Sequence, residues 1–439
     1  MLQTEREPVR VSGARGALSH AQSLKILEDL RKRSPDSGVL ERHIAVEEAL
    51  TDTPLSVGNK ATPLEDGAAA YDAMLKAIRG AKQHVHLEMY IFEADEMGHL
   101  FAEALKERAR AGVRVRLIYD SVGSINTPKA FFDELRAAGV QVVEFNPVKS
   151  VAALDLLALQ NRDHRKLLVT DGRVAILGGI NISSVYSGGS SNPAGSGGRM
   201  SDKPFEERPW RDLQVRLEGP VVGDLQRAFA RQWEKWKKEP LEDAALYPPP
   251  GPAVGHDLVR AIPGSPGDNN GLDPLYIALI SAIESADTEV MITNAYFVPH
   301  PQLLAALKAA AARKVAVTLV LPGKSDNALV YHAGRSFYGE LLEAGVKIYE
   351  RKTRFLHSKS AIVDGVWSAV GSTNLDWRSL AYNDELNAVV VGPEFAAQMK
   401  AIFERDISHS EAITAEKWAS RSLEDRIKEA GARMMSLWL

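Results

Sequence analysis

Two stretches of the sequence carry the same residues that could do chemistry on a phosphate ester. The first reads HRKLLVTDGRVAILGGIN and contains His164, Lys166, Asp171 and Asn181. The second reads HSKSAIVDGVWSAVGSTN and contains the same four residue types at the same intervals, which are His357, Lys359, Asp364 and Asn374. Histidine and asparagine are 17 residues apart in both copies (181 − 164 and 374 − 357). A single motif could arise by chance, but two with one spacing indicate a shared function.

These residue types suit the transfer of a phosphodiester. A histidine with a pKa of about 6.5 can act as a nucleophile or a proton donor near neutral pH. Lysine and asparagine can bind the non-bridging phosphate oxygens, where negative charge concentrates during transfer. One lysine at about 4 Å contributes about 4 kcal/mol at an effective dielectric of 20. Because no acidic cluster has metal-ligand spacing, we predict a mechanism without a metal or other cofactor.

Strand geometry explains how each motif could converge. Residues i and i+2 of a strand point to the same face, so His164 and Lys166 should project together. The dipeptide Asp171-Gly172 is a hairpin signal, and the returning strand could bring Asn181 beside His164. The second copy predicts the same arrangement for its own histidine and asparagine. The two aspartates could equally be simple turn residues.

A nucleophilic histidine needs an acceptor for its other ring nitrogen. The first half offers Asp212, 48 residues after His164, and the second half offers Glu385, 28 residues after His357. The 20 additional residues correspond to the glycine- and serine-rich segment 187–208. We therefore predict that both acids occupy equivalent strand positions and orient the histidines. The alternative is that they are ordinary acids at strand edges.

The elements around the motifs are duplicated. Helical and strand patterns alternate from residue 68, which favours an α/β fold with a mostly parallel mixed sheet flanked by helices. Three segments recur in order at offsets of 205, 202 and 206, beginning at residues 77, 104 and 134. We predict two copies of one domain, related by a pseudo-twofold axis, with the site between them. The predicted units are a lead-in segment 1–62, domain 1 at 63–245, domain 2 at 255–410 and a C-terminal amphipathic helix at 411–439.

Composition limits the remaining possibilities. The chain has 439 residues, a net charge of −4 and no cysteine, which excludes disulfides and a cysteine nucleophile. No run approaches the roughly 20 apolar residues of a membrane-spanning helix, so a membrane lipid would have to be reached from outside the bilayer. The apolar stretch 152–159 and the C-terminal stretch 413–439 could each pack in the core or contact a membrane.

The paired HxKxxxxD motifs, each followed by a glycine and an asparagine, resemble the signature of the phospholipase D superfamily. Three segments are more narrowly similar to bacterial cardiolipin synthases, here without a transmembrane anchor. They are HLEMYIFEADEMG (86–98), PWRDLQVRLEGPVV (209–222) and FLHSKSAIVDGVWSAVGSTNLDWRSL (355–380). The resemblance covers about residues 59–439. It implies two phospholipase D-like domains and a peripheral position on the cytoplasmic face of the bacterial membrane, with no nucleic-acid partner.

The resemblance also implies roles for the residues. His164 would attack phosphorus to form a phosphatidyl-histidine, and His357 would protonate the leaving alcohol and later deprotonate the acceptor. The phosphate would be held by Lys166, Lys359, Asn181 and Asn374, while Asp171 and Asp364 would mainly support the architecture. The reaction would convert two phosphatidylglycerol molecules into cardiolipin and glycerol.

Other functions fit the same motifs. Phosphatidylethanolamine could be the donor, and a phospholipase D hydrolase would release phosphatidic acid with water as acceptor. A nuclease of the superfamily would need basic grooves with interleaved aromatic residues, which a net charge of −4 disfavours. A catalytically inactive lipid-binding protein is the alternative outside enzymes, and two complete motifs argue against it.

Overall fold

The structure is a computed structural model. It describes residues 9–14, 16–34, 37–51, 53–147, 160–187, 204–241, 253–266 and 273–435. The apolar stretch 152–159 and most of the glycine- and serine-rich segment lie outside these ranges, as does the stretch YPPPGP (247–252) between the two predicted domains.

Eighteen strands occur within the described ranges. They are β1 (Val11–Gly13), β2 (Gly16–Ala17), β3 (Leu55–Glu65), β4 (His84–Met89), β5 (Arg114–Asp120), β6 (Gln141–Phe145), β7 (Arg162–Asp163), β8 (Lys166–Thr170), β9 (Val174–Gly178), β10 (Leu213–Glu218), β11 (Asp257–Gly264), β12 (Glu289–Asn294), β13 (Ala316–Pro322), β14 (Lys347–Arg351), β15 (Lys359–Val363), β16 (Trp367–Gly371), β17 (Asn383–Val391) and β18 (Ser410–Ile413).

Fifteen α-helices lie in the same part of the chain. They are α1 (His20–Arg33), α2 (Val39–Arg42), α3 (Ile44–Leu50), α4 (Asp66–Gly80), α5 (Glu96–Arg110), α6 (Lys129–Ala137), α7 (Val221–Lys237), α8 (Pro274–Ser285), α9 (Pro301–Ala312), α10 (Ala328–Arg335), α11 (Tyr338–Glu343), α12 (Trp377–Ala381), α13 (Pro393–Ser408), α14 (Ala415–Ala419) and α15 (Leu423–Met434).

The two halves contain the same sheet. In the first half the strand order is β6-β5-β4-β8-β9-β10-β3, and in the second it is β14-β13-β12-β15-β16-β17-β11. This confirms the predicted duplicated α/β fold with mixed sheets. Within these two seven-stranded sheets, only the neighbours β4, β5 and β6 and the neighbours β12, β13 and β14 pair in parallel, and helices connect them. The other pairings are antiparallel, so the expectation of mostly parallel sheets is wrong. The motif strands β8 and β9, like β15 and β16, are hairpins and pair antiparallel.

The two DG dipeptides form the expected turns. Asp171 and Gly172 have φ values of 53° and 60°, and Asp364 and Gly365 have 50° and 59°. Two successive residues with positive φ define a type I′ hairpin, whose twist matches that of the flanking strands. The turn therefore sets the register of each motif hairpin.

The N-terminal segment is more than a lead-in. It forms the helices α1, α2 and α3. Strand β3 then crosses the predicted boundary at residue 62 and pairs with β10 in one half and β11 in the other. This strand therefore joins the two sheets, so part of the segment assigned as a lead-in belongs to the sheet.

The halves share an apolar core. One cluster of buried side chains combines residues from the first-half sheet, such as Leu177 and Val215, with Leu386 and Val390 of the second half. Helices α7 and α13 contribute Phe229 and other apolar side chains to the same cluster. Such a core fixes the relative position of the two motifs far more firmly than a linker could.

Candidate active site

The two histidines lie two residues before their motif strands β8 and β15, at the junction of the halves. Strand β7, just before His164, pairs in parallel with β17 of the second half. The backbone N–H of His164 donates to the Asp384 carbonyl oxygen at 2.9 Å. In the reciprocal contact, the N–H of His357 donates to the carbonyl of Arg211 at 2.7 Å. Each histidine is thus anchored by backbone of the opposite half.

The histidine–carboxylate pairs also cross between the halves. Glu385 has both carboxylate oxygens 3.1 Å from Nδ1 of His164. Asp212 places Oδ2 2.7 Å from Nδ1 of His357. Counting residues within each half predicts equivalent acids but not that each serves the other half's histidine. A carboxylate that accepts the Nδ1 proton leaves Nε2 as the ring nitrogen available for chemistry.

The two lysines lie beside the histidines of their own motifs. Lys166 Nζ donates to the His164 carbonyl oxygen at 2.6 Å. Lys359 Nζ donates to the carbonyl oxygen of His357 at 2.5 Å and lies 3.0 Å from its Nδ1. Both side chains are buried. The i, i+2 relation therefore brings each lysine to its histidine, as strand geometry predicts.

Burial makes the charges of the lysines conditional. Burial is the largest cause that lowers the pKa of Lys166 to about 7, and the charge of Lys359 lowers it further while Glu385 opposes the shift. Burial also lowers the pKa of Lys359 to about 8, against the attraction of Asp212. An anionic phosphate between these groups would favour their charged forms, so binding of a phosphodiester should be coupled to proton uptake.

The histidines are neutral near pH 7. Burial lowers the pKa of His164 to about 4, although Glu385 acts to raise it. Burial and then Lys359 lower the pKa of His357. Burial alone would raise the pKa of Glu385, but His164 and Lys166 outweigh it and lower that pKa to about 2. A neutral imidazole held by an ionised carboxylate is the form that can attack phosphorus.

The two motifs act on each other electrostatically. The charge of Lys359, in the second half, lowers the pKa of His164 in the first. The charge of Lys166 likewise lowers the pKa of His357. Because Coulomb interactions weaken with distance and screening, these mutual effects indicate that the charged groups of the two motifs lie near each other.

The asparagines occupy different surroundings. Asn181 donates from Nδ2 to the Tyr186 hydroxyl at 3.1 Å, and that hydroxyl lies 3.3 Å from Nδ1 of His357. Among the described residues no hydrogen bond joins Asn181 to His164, so this asparagine is linked to the other half's histidine. Asn374 is buried, and in the described part of the chain its Oδ1 has no hydrogen-bond partner.

The two motif aspartates lie at the far ends of their hairpins. Asp171 accepts backbone N–H bonds from Lys82, Gln83 and His84 at 2.8–2.9 Å. Asp364 accepts the equivalent bonds at the start of β12. Five residues of strand separate Lys166 from Asp171, about 16 Å at 3.3 Å per residue. The carboxylates of both aspartates therefore hold the turn and the preceding loop, and they lie away from the histidines and lysines.

Aromatic side chains surround the histidines, and the motifs in the sequence do not predict them. Tyr90 packs edge-on against His164 at 4.9 Å between ring centroids, with Lys166 Nζ 5.0 Å from the same ring. Trp210 and Tyr296 approach the ring of His357 at 5.4 and 6.0 Å. The repeat offset of 205 aligns the ends of β4 and β12, so it could have directed attention to the tyrosines that follow them.

Beneath Glu385, a hydroxyl fixes the carboxylate. Ser372 Oγ donates to Oε2 of Glu385 at 2.5 Å. Ser372 belongs to the GSTN segment of the second motif, which ties that motif to the strand carrying the acid.

In the described ranges, no group of three or more His, Asp or Glu side chains could hold a metal ion. None of the helices there is long and apolar enough to cross a bilayer.

The fold and the site define the class of this protein, which is a duplicated phospholipase D-like architecture with paired histidine–lysine motifs. A family model described as cardiolipin synthase, PLD-like domain, matches residues 74–187 and 279–407, one segment in each half. The cardiolipin synthase of Geobacillus kaustophilus is 36% identical over 387 residues, covering 87% of this chain and 73% of that protein. That of Alkalihalophilus pseudofirmus is 34% identical over 390 residues, covering 88% and 74%.

The chain belongs to the cardiolipin synthase family. A solved structure supports the fold at longer range. Phosphatidylserine synthase of Haemophilus influenzae superposes with a TM-score of 0.65 at 12% identity, covering 90% of this chain and 99% of that one. At that identity the likeness concerns the fold alone.

Proposed function

We propose that this protein is a phosphatidyltransferase that makes cardiolipin from two molecules of phosphatidylglycerol and releases glycerol. Family membership supports a phospholipid substrate. The observation that carries the proposal is the pair of buried histidines, each held at Nδ1 by a carboxylate from the opposite half. This arrangement provides a nucleophile and a proton-transfer group at one phosphorus atom.

In the first step, Nε2 of His164 attacks the phosphorus of phosphatidylglycerol. A P–N bond forms, the P–O bond to glycerol breaks, and protonated His357 gives its proton to the departing oxygen. Burial disfavours the imidazolium form of His357 in the free protein, and the negative phosphodiester offsets this by favouring it. Glu385 stabilises the positive charge that develops on His164.

In the second step, the hydroxyl of another phosphatidylglycerol attacks the phosphatidyl-histidine. His357 takes the hydroxyl proton, the new P–O bond forms and the P–N bond breaks. The products are cardiolipin and free His164, so atoms and protons balance over the two steps. Water in place of the lipid hydroxyl would give phosphatidic acid.

The remaining site residues have supporting roles. Lys166 and Lys359 would neutralise the non-bridging oxygens, where charge accumulates in transfer. The Nδ2 group of Asn374 would donate a neutral hydrogen bond to the same oxygens. Asn181 would instead position His357 through Tyr186, in accordance with its observed contacts.

We also infer that the protein works at the surface of the bacterial membrane, on its cytoplasmic face. Helix α15 supports this position. Leu423, Ile427 and Met434 are 73, 64 and 81% exposed, and their spacing places them on one face of the helix. The opposite face carries buried Glu429, which pairs with Arg335 of α10 at 3.2 Å. The apolar face is therefore turned outward, as in helices that lie at a bilayer interface.

The test is to incubate the purified protein with labelled phosphatidylglycerol in mixed micelles. Cardiolipin and glycerol in equal amounts would support the proposal. Phosphatidic acid as the main product would indicate a hydrolase, and ethanolamine release from phosphatidylethanolamine would change the donor. His164→Ala and His357→Ala should each abolish turnover, with unchanged circular dichroism showing that the variants fold. Retained activity in either would contradict the paired-histidine mechanism.

A further inference from the structure

An apolar groove lies beside the second motif. It has a volume of about 680 Å³ and is lined by Pro299, Leu304, Phe337 and Trp377, among others. His300 stacks on the Trp377 ring, with centroids 5.4 Å apart and planes 21° apart. A volume of this size and an aromatic and aliphatic lining are typical of a site for an apolar ligand.

Two short chain segments connect the groove to the catalytic groups. Val298, on one wall, lies two residues beyond Tyr296, about 7 Å along an extended chain, and Tyr296 contacts the ring of His357. The N–H of Val298 donates to the carbonyl of Leu375 at 2.8 Å. Leu375 directly follows Asn374, and Trp377 on the other wall comes two residues later. A molecule whose phosphate sits at the histidines could therefore extend into the groove.

Two cations also line the groove, and Lys308 and Arg433 make up its positive rim. Arg433 lies over the Phe337 ring at 4.5 Å and donates to Glu340 at 2.5 Å. Lys308 is 3.4 Å from the same carboxylate. Two cations share one carboxylate, so the rim has a net positive charge. An apolar channel with a positive rim complements a ligand with an apolar tail and an anionic head.

The groove is also continuous in sequence with the outward apolar face of α15. Arg433 lines the rim, and the next residue, Met434, belongs to the exposed apolar face described above. A lipid in a bilayer on which α15 rests would therefore lie close to the groove. This continuity favours a membrane lipid over a soluble apolar metabolite as the occupant.

We propose that this groove binds one acyl chain of the phospholipid whose phosphate lies at the histidines. The inference rests on the proposed function and adds to it a site for the lipid tail. It predicts that the enzyme senses acyl-chain length through the walls at Leu304, Phe337 and Trp377. A buried methylene contributes about a fourfold factor to affinity, so a chain that fills the groove binds far more tightly than a short one.

Binding can be tested without turnover. Phosphatidylglycerol with brominated acyl chains quenches tryptophan emission on contact, and Trp377 is a groove residue. In detergent micelles, we expect one component of the quenching seen in the wild type to be absent in Trp377→Phe. The same component should disappear in Ala305→Phe, which fills the groove from an exposed position of α9. Ala309→Phe, one turn further along the same exposed face and outside the lining, is the matched control. Equal quenching in all four proteins would overturn the proposal.

Kinetics provide the second measurement. For Ala305→Phe, the ratio of kcat/KM for dioleoyl over dihexanoyl phosphatidylglycerol should fall at least tenfold, whereas Ala309→Phe should keep the wild-type ratio. Unchanged turnover of the short-chain lipid would show that Ala305→Phe is folded and active. An unchanged ratio in Ala305→Phe, or the same fall in both variants, would refute the groove. A wild type that makes no cardiolipin would refute the proposed function instead, and the quenching would still decide the groove.

Discussion

Replacing Glu385 by glutamine should disable His164 and leave the chemistry of His357 intact. The carboxylate lies 3.1 Å from Nδ1 of His164 and is held by Ser372. Glutamine preserves the shape and removes the charge. If the carboxylate belongs to His164 across the interface of the halves, the variant should fail in the step that forms the phosphatidyl-histidine.

The magnitude follows from the geometry. A unit charge pair at the observed separation contributes about 5 kcal/mol at an effective dielectric of 20. The glutamine amide retains a neutral hydrogen bond of about 1 kcal/mol. The loss of about 4 kcal/mol falls on the state in which His164 carries positive charge. We therefore expect kcat to fall about a thousandfold, with little change in KM.

A substrate with an activated leaving group separates the two histidines. Phosphatidyl-p-nitrophenol needs no general acid, because nitrophenolate leaves unprotonated. Asp212→Asn, which weakens His357, should therefore show a near-normal first burst of nitrophenolate in rapid-mixing absorbance measurements. Glu385→Gln should show no such burst, because attack by His164 is still required. A burst in Glu385→Gln and none in Asp212→Asn would mean that the nucleophile and proton donor are exchanged, and bursts of equal size would refute distinct roles.

Three further predictions concern the charge, the turn and the surface. Affinity for dimethyl phosphate, measured by calorimetry, should fall as the pH rises through 7 to 8. The reason is that Lys166 and Lys359, with pKa values lowered to about 7 and about 8, lose their charge in that range. An affinity that does not change with pH over that range would contradict these lowered pKa values. Asp171→Ala should lower the free energy of unfolding in urea by about 2–4 kcal/mol, because it leaves several backbone N–H groups without an acceptor. The folded fraction should keep its kcat within about twofold. A large loss of kcat in that fraction would instead assign the carboxylate a role in the chemistry. Ile427→Asp should weaken sedimentation with phosphatidylglycerol vesicles at least tenfold, with micelle activity unchanged, whereas Ser420→Asp adds the same charge outside the apolar face and should bind normally.

The sequence by itself determined the local features of the protein. Both motifs and their identical spacing can be read directly from the sequence. Their DG dipeptides predict the turns, because a type I′ turn requires positive φ at two successive residues. The i, i+2 relation likewise places Lys166 beside His164, as observed. The duplicated fold could be predicted because repeated segments at nearly constant offsets describe one domain twice.

Tertiary structure decided which residues meet across the halves. Glu385 serves His164, Asp212 serves His357, and Asn181 reaches His357 through Tyr186. These contacts depend on the pairing of β7 with β17 and on the core shared by both sheets. The alternation of side chains along a strand decides which of them are neighbours on one face. The packing between separate sheets, in contrast, is set by the fit of many side chains at once. The sequence therefore names the candidate catalytic groups, and only the packed halves decide how they are paired.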